Sequence, residues 1–179
     1  MSAVHLADFS PAPNQGGDPT LYEIENRAGA MPSSRVEVLH GSAEHIPLPD
    51  ASADIIHARF AYFFPPGCEP GLAEAMRVLK PGGALVVVDN DLNRGQFAEL
   101  LRASTTSQAQ GGGRATDDWW AARSAERTEV MSEWRFTRRS DFESVLRLEF
   151  PADIANAWLA AHPDALGLSY GYVLFTTRR

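Results

Sequence analysis

RVEVLHGSAEHIPLPDASADIIHARFAYFF (residues 35–64), followed by PPGCEPGLAEAMRVLKPGG (65–83) and ALVVVDND (84–91), is the stretch whose reading decides the fold. Val36, Val38 and Leu39 form a short β-branched run halted by Gly41, Ile55 and Ile56 open a second, and Leu85 to Val88 make an unbroken third. A run without polar alternation suits a strand buried on both faces, as in a parallel sheet covered by helices. Between the last two runs, Leu72, Ala75, Met76 and Leu79 fall at i, i+3, i+4 and i+7, one stripe of a helix. Lys80 in the last turn and Pro81-Gly82-Gly83 after it are helix-ending chemistry. Strand, helix, strand in that order gives an α/β fold.

Composition bounds the rest. At 179 residues and 44% hydrophobic, the chain has the length for one domain with a real core. A formal charge of −7, with basic residues scattered, argues against a nucleic-acid surface, which needs clustered Lys and Arg. A single cysteine, Cys68, excludes an internal disulfide and fits a reducing compartment. No apolar run approaches membrane-spanning length and the N-terminus lacks a signal pattern, so a cytoplasmic location without membrane association is expected. His40, His45 and Cys68 have no metal-ligand spacing, so no metal site is expected.

Outward from the central stretch, residues 1–20 read as a flexible N-terminal arm, punctuated by Pro11, Pro13, Gly16, Gly17 and Pro19, in which only Val4 to Ala7 suits a strand. Residues 21–179 read as the α/β domain. Leu21 to Ala28 is a short helix candidate, with Thr20 and Glu23 spaced as a capping box. Phe97, Leu100 and Leu101 mark a helix within 92–102, and residues 103–116 are polar and glycine-rich. Asp117 to Arg123 reads as a short helix and Thr128 to Phe136 as a strand. Ser140 and Glu143 are spaced as a capping box for a helix through Leu148, another helix starts at Pro151, and Leu168 to Thr177 is the last strand.

Gly41-Ser42-Ala43-Glu44 with Ile46-Pro47-Leu48-Pro49-Asp50, then Ala53-Asp54-Ile55-Ile56, then Arg77-Val78-Leu79-Lys80-Pro81-Gly82-Gly83 resemble, in order and spacing, three motifs of the class I S-adenosylmethionine-dependent methyltransferases. The resemblance implies an incomplete Rossmann-like sheet, mostly parallel with an antiparallel C-terminal strand, flanked by helices. It also implies S-adenosylmethionine as cofactor and an unidentified small molecule as methyl acceptor. Ser42 and Ala43 would meet the adenine edge, with Gly41 and Glu44 beside them and Ile46 against the ring. Arg59, at the end of the second run, would hold the cofactor carboxylate, and no catalytic residue is singled out.

The family's glycine-rich turn, D-x-G-x-G-x-G, occurs nowhere, and Gly16-Gly17 and Gly111-Gly112-Gly113 read as linkers. Two placements account for this. Either Val4 to Asp8 is the family's second strand, with Asp8 on the ribose, or residues 18–28 are its N-terminal helix and a block before Arg35 is missing. The second is preferred, which leaves Asp8 in the arm. Residues 42–52 are long enough for either a gap in the sheet or a closed-up sheet, and a gap that stays open would expose a strand edge through which copies of the chain can associate. The alternative function is that of a truncated, methyltransferase-like protein that binds no cofactor and serves as a non-catalytic partner.

Overall fold

The computed structural model describes residues 3–6, 39–104 and 113–179. Five strands form one open sheet: β1 (Ala3–Leu6), β2 (Ala53–Arg59), β3 (Leu79–Asn90), β4 (Glu126–Arg135) and β5 (Gly167–Arg178), in the order β1-β2-β3-β5-β4. The pairs β1·β2 and β2·β3 are parallel, whereas β5 runs antiparallel to both β3 and β4. Four strands therefore point one way and only the C-terminal strand is reversed, the mixed sheet the sequence implied.

The helices are α1 (Glu69–Val78), α2 (Gln96–Ala103), α3 (Arg114–Ala121), α4 (Arg139–Glu149) and α5 (Ala152–Ala161). Alternation along the strands divides the core between the two faces. On one, Ile56, Ala58, Leu85, Val87, Val173 and Phe175 pack against Ala75 and Val78 of α1 and Trp120 of α3. On the other, Leu168 and Tyr170 pack against Phe97 and Leu100 of α2, Phe142 and Leu146 of α4, and Trp158 and Leu159 of α5. The tryptophans thus mostly pack on the sheet, with Trp120 stacked on Phe175 at 5.4 Å between ring centroids.

Several expectations are corrected. Ala3–Leu6, within the expected arm, is a strand paired with residues 55–58 of β2. It lies beside β2 and covers that strand's parallel edge, so these residues belong to the sheet, as in the first placement, and not to an arm, as in the preferred second. Leu79 and Lys80 belong to β3 and not to the last helical turn. Leu79 is already extended, with ψ 139°, and pairs with Ala53. Pairing then breaks and resumes at Ile55 and Ala84, so Pro81-Gly82-Gly83 is an irregularity within the strand. Gly82 has φ +78°, and a Cβ on Gly83 would stand 2.9 Å from the Asp54 carbonyl oxygen, so both need glycine. The Ser140–Glu143 capping box does not form. Glu143 instead accepts from Arg139 Nε at 2.8 Å and Arg147 Nη1 at 3.0 Å, stronger charge-assisted bonds.

Helix α3 starts at Arg114, before the expected Asp117. Of the strand expected from Val36, only Leu39 is among the described residues, and it is irregular and 42% exposed. The helix expected at 21–28, its capping box, Asp8, Gly16 and Gly17 lie outside the described residues, as does most of the 103–116 loop.

Candidate functional site

Ligands of parallel α/β sheets bind beyond the carboxyl ends of the strands. At the end of β2, the chain past Arg59 turns through two non-glycine residues in the left-handed region, Phe60 (φ 51°) and Tyr62 (φ 58°). Such backbone persists only where surrounding contacts over-determine it. Those contacts are visible at Tyr62, whose hydroxyl donates to Glu44 Oε1 at 2.8 Å and accepts from the Gly71 amide at 3.1 Å. The first-turn amides of a helix have no partner within it, and Cys68, the N-cap of α1, supplies no side-chain bond. The Tyr62 hydroxyl fills that role and ties Glu44 to α1.

The segment carrying Gly41 to Ile46 is fastened to the same helix. A Cβ on Gly41 would come 2.5 Å from Pro47 Cδ, so the glycine answers first to the local turn. Ser42 and His45 close a tight bridge, His45 N donating to the Ser42 oxygen at 3.1 Å. Ile46 has its side chain in the core, its amide donating to Glu74 Oε1 at 2.8 Å and its carbonyl accepting from Arg77 Nη2 at 3.1 Å. Arg77 Nε meets Glu74 Oε2 at 2.7 Å, and Nη1 meets Asp50 at 2.5 Å.

These bonds, the Arg77 guanidinium first, hold the Glu74 carboxyl down to about 2, well below the usual carboxylate range. A depressed folded pKa means the stability Glu74 lends is fully present above the ordinary carboxylate pKa and is lost as pH falls through about 2. Glu74→Gln is therefore expected to melt below the wild type at pH 7, with the two melting temperatures converging towards pH 2–3 in an acid titration followed by circular dichroism.

His57 and Arg59 share a face of β2, as alternation requires, and Arg59 reaches over the rim towards β5. Its Nη2 donates to the Tyr172 hydroxyl at 3.2 Å, and its guanidinium carbon lies 5.0 Å and 5.5 Å from the Phe60 and Tyr172 ring centroids. Arg59 has no carboxylate partner among the described residues.

The end of β3 forms the other part of the rim. Asp91 caps the loop after the strand, Oδ1 accepting from the Asn93 amide at 2.8 Å and Oδ2 from Arg94 Nε at 2.9 Å. Asp89 is different: it is 7% exposed, and among the described residues its one hydrogen bond is from the adjacent Asn90 amide to Oδ1 at 2.7 Å. Burial, with a smaller contribution from the Asp117 charge, pushes its carboxyl up to about 6. In the sequence, the carboxylates that end the third run suit either the orientation of a substrate amine or hydroxyl or the capping of the following loop, with capping preferred, whereas Tyr172 and Asp117 carry no local signal, because their roles arise from strand pairing and helix docking. Cys68 is buried, with its thiol pushed up to about 11 by desolvation, so it offers no nucleophile. Among the described residues, no group of three or more His, Cys, Asp or Glu is placed to hold a metal, and no helix is long and apolar enough to cross a membrane.

The chain is similar to known proteins in sequence over part of its length and in fold over nearly all of it. The family described as "Methyltransferase domain" matches residues 15–87. A ubiquinone/menaquinone biosynthesis C-methyltransferase of Methylobacterium nodulans is 41% identical over 72 residues, 40% of this chain and 29% of that protein. A demethylmenaquinone methyltransferase of Listeria welshimeri is 43% identical over 54 residues, 30% and 23% of the two chains. The matches thus span less than a third of these relatives' own length. Among solved structures, a proposed methyltransferase of Bacillus halodurans superposes with a TM-score of 0.53 at 17% identity, covering 99% of this chain and 83% of that one. A proposed type II methyltransferase of Anaeromyxobacter dehalogenans gives 0.52 at 18% identity, covering 99% and 89%. These structures share the fold, and the matched segment runs through the rim residues 41–46 and 59 into β3. In its mixed sheet with a reversed last strand the chain shares the fold of these methyltransferase structures, and over residues 15–87 it is similar to the methyltransferase domain family.

Proposed function

We propose that this chain is a cytoplasmic methyltransferase that takes the methyl group of S-adenosylmethionine to a small molecule. The observation that carries the reading is Arg59, a guanidinium on the β2 rim with no carboxylate partner among the described residues. The donor set suits this cofactor. Arg59 would take the carboxylate, the Ser42 and Ala43 backbone would meet the adenine edge, and Glu44 would accept from the ribose hydroxyls. Gly41 keeps the turn tight, and Ile46 supports the segment from the core side. Bound there, the sulfonium supplies an electrophilic methyl group whose transfer depends largely on alignment. The chain's own contribution is to hold and orient: α1, through Tyr62, Glu74 and Arg77, keeps residues 41–46 in place.

The test is calorimetry of the whole chain with S-adenosylhomocysteine. A Kd tighter than about 100 μM supports the reading, and no heat at millimolar ligand overturns it.

A further inference from the structure

Beside the β3 end, between that strand, β5 and α3, lies an open depression of about 230 Å³ whose interior has room for one water-sized group. Asp89, Asn90, Asp91, Thr116, Asp117 and Arg127 are among its lining. Its charges are unequally satisfied. Asp91 has a fully buried side chain and is paired with Arg94, and Asp117 is paired with Arg127 at 3.1 Å. Both arginines are further shared with Glu129, so neither has charge to spare. Among the described residues Asp89 meets no cation, and its Oδ2 has no hydrogen-bond partner. A carboxylate nine-tenths buried without a counter-charge lowers stability, and such groups cluster where a ligand completes the pairing.

We propose that this depression binds the primary ammonium group of a small molecule, with Asp89 as its counter-ion. The charge balance favours a cation, since two guanidiniums face the carboxylates of Asp89, Asp91, Asp117 and Glu129. Size favours a compact head, because the interior takes a single small group while the rest of the ligand lies in the wider mouth. Asp89, with its carboxyl at about 6, is ionised in neutral solution. On the methyltransferase reading, this amine anchors the acceptor molecule beside the rim. The site itself needs no cofactor.

The experiment is a titration of the ¹⁵N-labelled full chain with methylammonium chloride at constant ionic strength, following the Asn90, Asp91 and Asp117 amides. Saturable shifts are expected by about 100 mM, as suits a fragment-sized ligand. Tetramethylammonium carries the same charge but has no N–H and is too bulky, and should act at least ~10-fold more weakly. Asp89→Asn should abolish the shifts, and Asp118→Asn, on the exposed side of α3, should keep them. Equal response to both cations, the same response in Asp89→Asn, or no shift up to about 100 mM methylammonium would overturn the assignment. Silence in the calorimetry with S-adenosylhomocysteine would instead overturn the methyltransferase reading and leave this result standing.

Discussion

Trp120→Ala is expected to lower the unfolding free energy by about 3–5 kcal/mol, the range for deleting a buried aromatic side chain. Trp120 is 1% exposed and stacks on Phe175 with an interplanar angle of 13°. Its ring also lies 6.0 Å from Phe63, which follows β2, so one side chain joins α3, the C-terminal strand and the rim loop. The cavity left by truncation is walled by strands on one side and by the segment after β2 on the other, and neither closes without disturbing the sheet. For a chain of this size, the melting temperature should fall by roughly 10–15 °C. The comparison is its neighbour. Trp119 is half-buried and lies under the Arg123 guanidinium at 3.5 Å, so Trp119→Ala should cost about 1 kcal/mol. Urea unfolding of the two variants separates them, and equal losses would remove Trp120 from the centre of the core.

Much of this architecture was legible because it is written in local periodicity. The unbroken run Leu85 to Val88, the stripe through Leu72, Ala75 and Met76, and the alternation of Leu168 to Thr177 each identify an element whose burial is decided by its own pattern. The misreadings fall where a partner distant in sequence overrides the local preference. Leu79-Lys80 continue the helical stripe in sequence, yet Ala53 and Asp54 draw them into the sheet, Lys80 Nζ meeting Asp54 at 3.1 Å. Ser140 and Glu143 have the spacing of a capping box, yet Arg139 and Arg147 compete for the carboxylate and win. Val4 to Ala7 suits a strand in isolation, but nothing local names the partner of Ala3–Leu6, which is the parallel edge of β2. At the rim, the sequence singles out Arg59 and Glu44 but not what holds them. Tyr172 is 113 positions from Arg59, and the Tyr62–Glu44 bond depends on a backbone turn that no pattern announces. Asp89 and Asp91 are equivalent acids in the sequence. Packing makes one a paired loop cap and leaves the other without a counter-charge.

Arg59 supplies the second large effect, this time on binding. Arg59→Ala is expected to weaken S-adenosylhomocysteine binding roughly 10–100-fold, which corresponds to the loss of one charged hydrogen-bonding group worth about 1.5–3 kcal/mol. The same change should leave the melting temperature nearly unmoved, because the guanidinium is solvent-facing and its hydrogen bond to the Tyr172 hydroxyl is an exposed one. Arg59→Lys keeps the charge but loses the planar fork that grips a carboxylate with two parallel bonds, so it should fall between the two. The contrast with Glu74→Gln gives the test its force. Glu74 fixes residues 41–46 to α1, so its replacement should lower stability and affinity together, whereas Arg59 should lower affinity alone. Calorimetry paired with thermal melts of the three variants distinguishes a ligand-holding arginine from a structural one. Unchanged affinity in Arg59→Ala, or a drop matched by an equal loss of stability, would assign the guanidinium to the packing of Phe60 and Tyr172 and would deprive the cofactor of its carboxylate anchor.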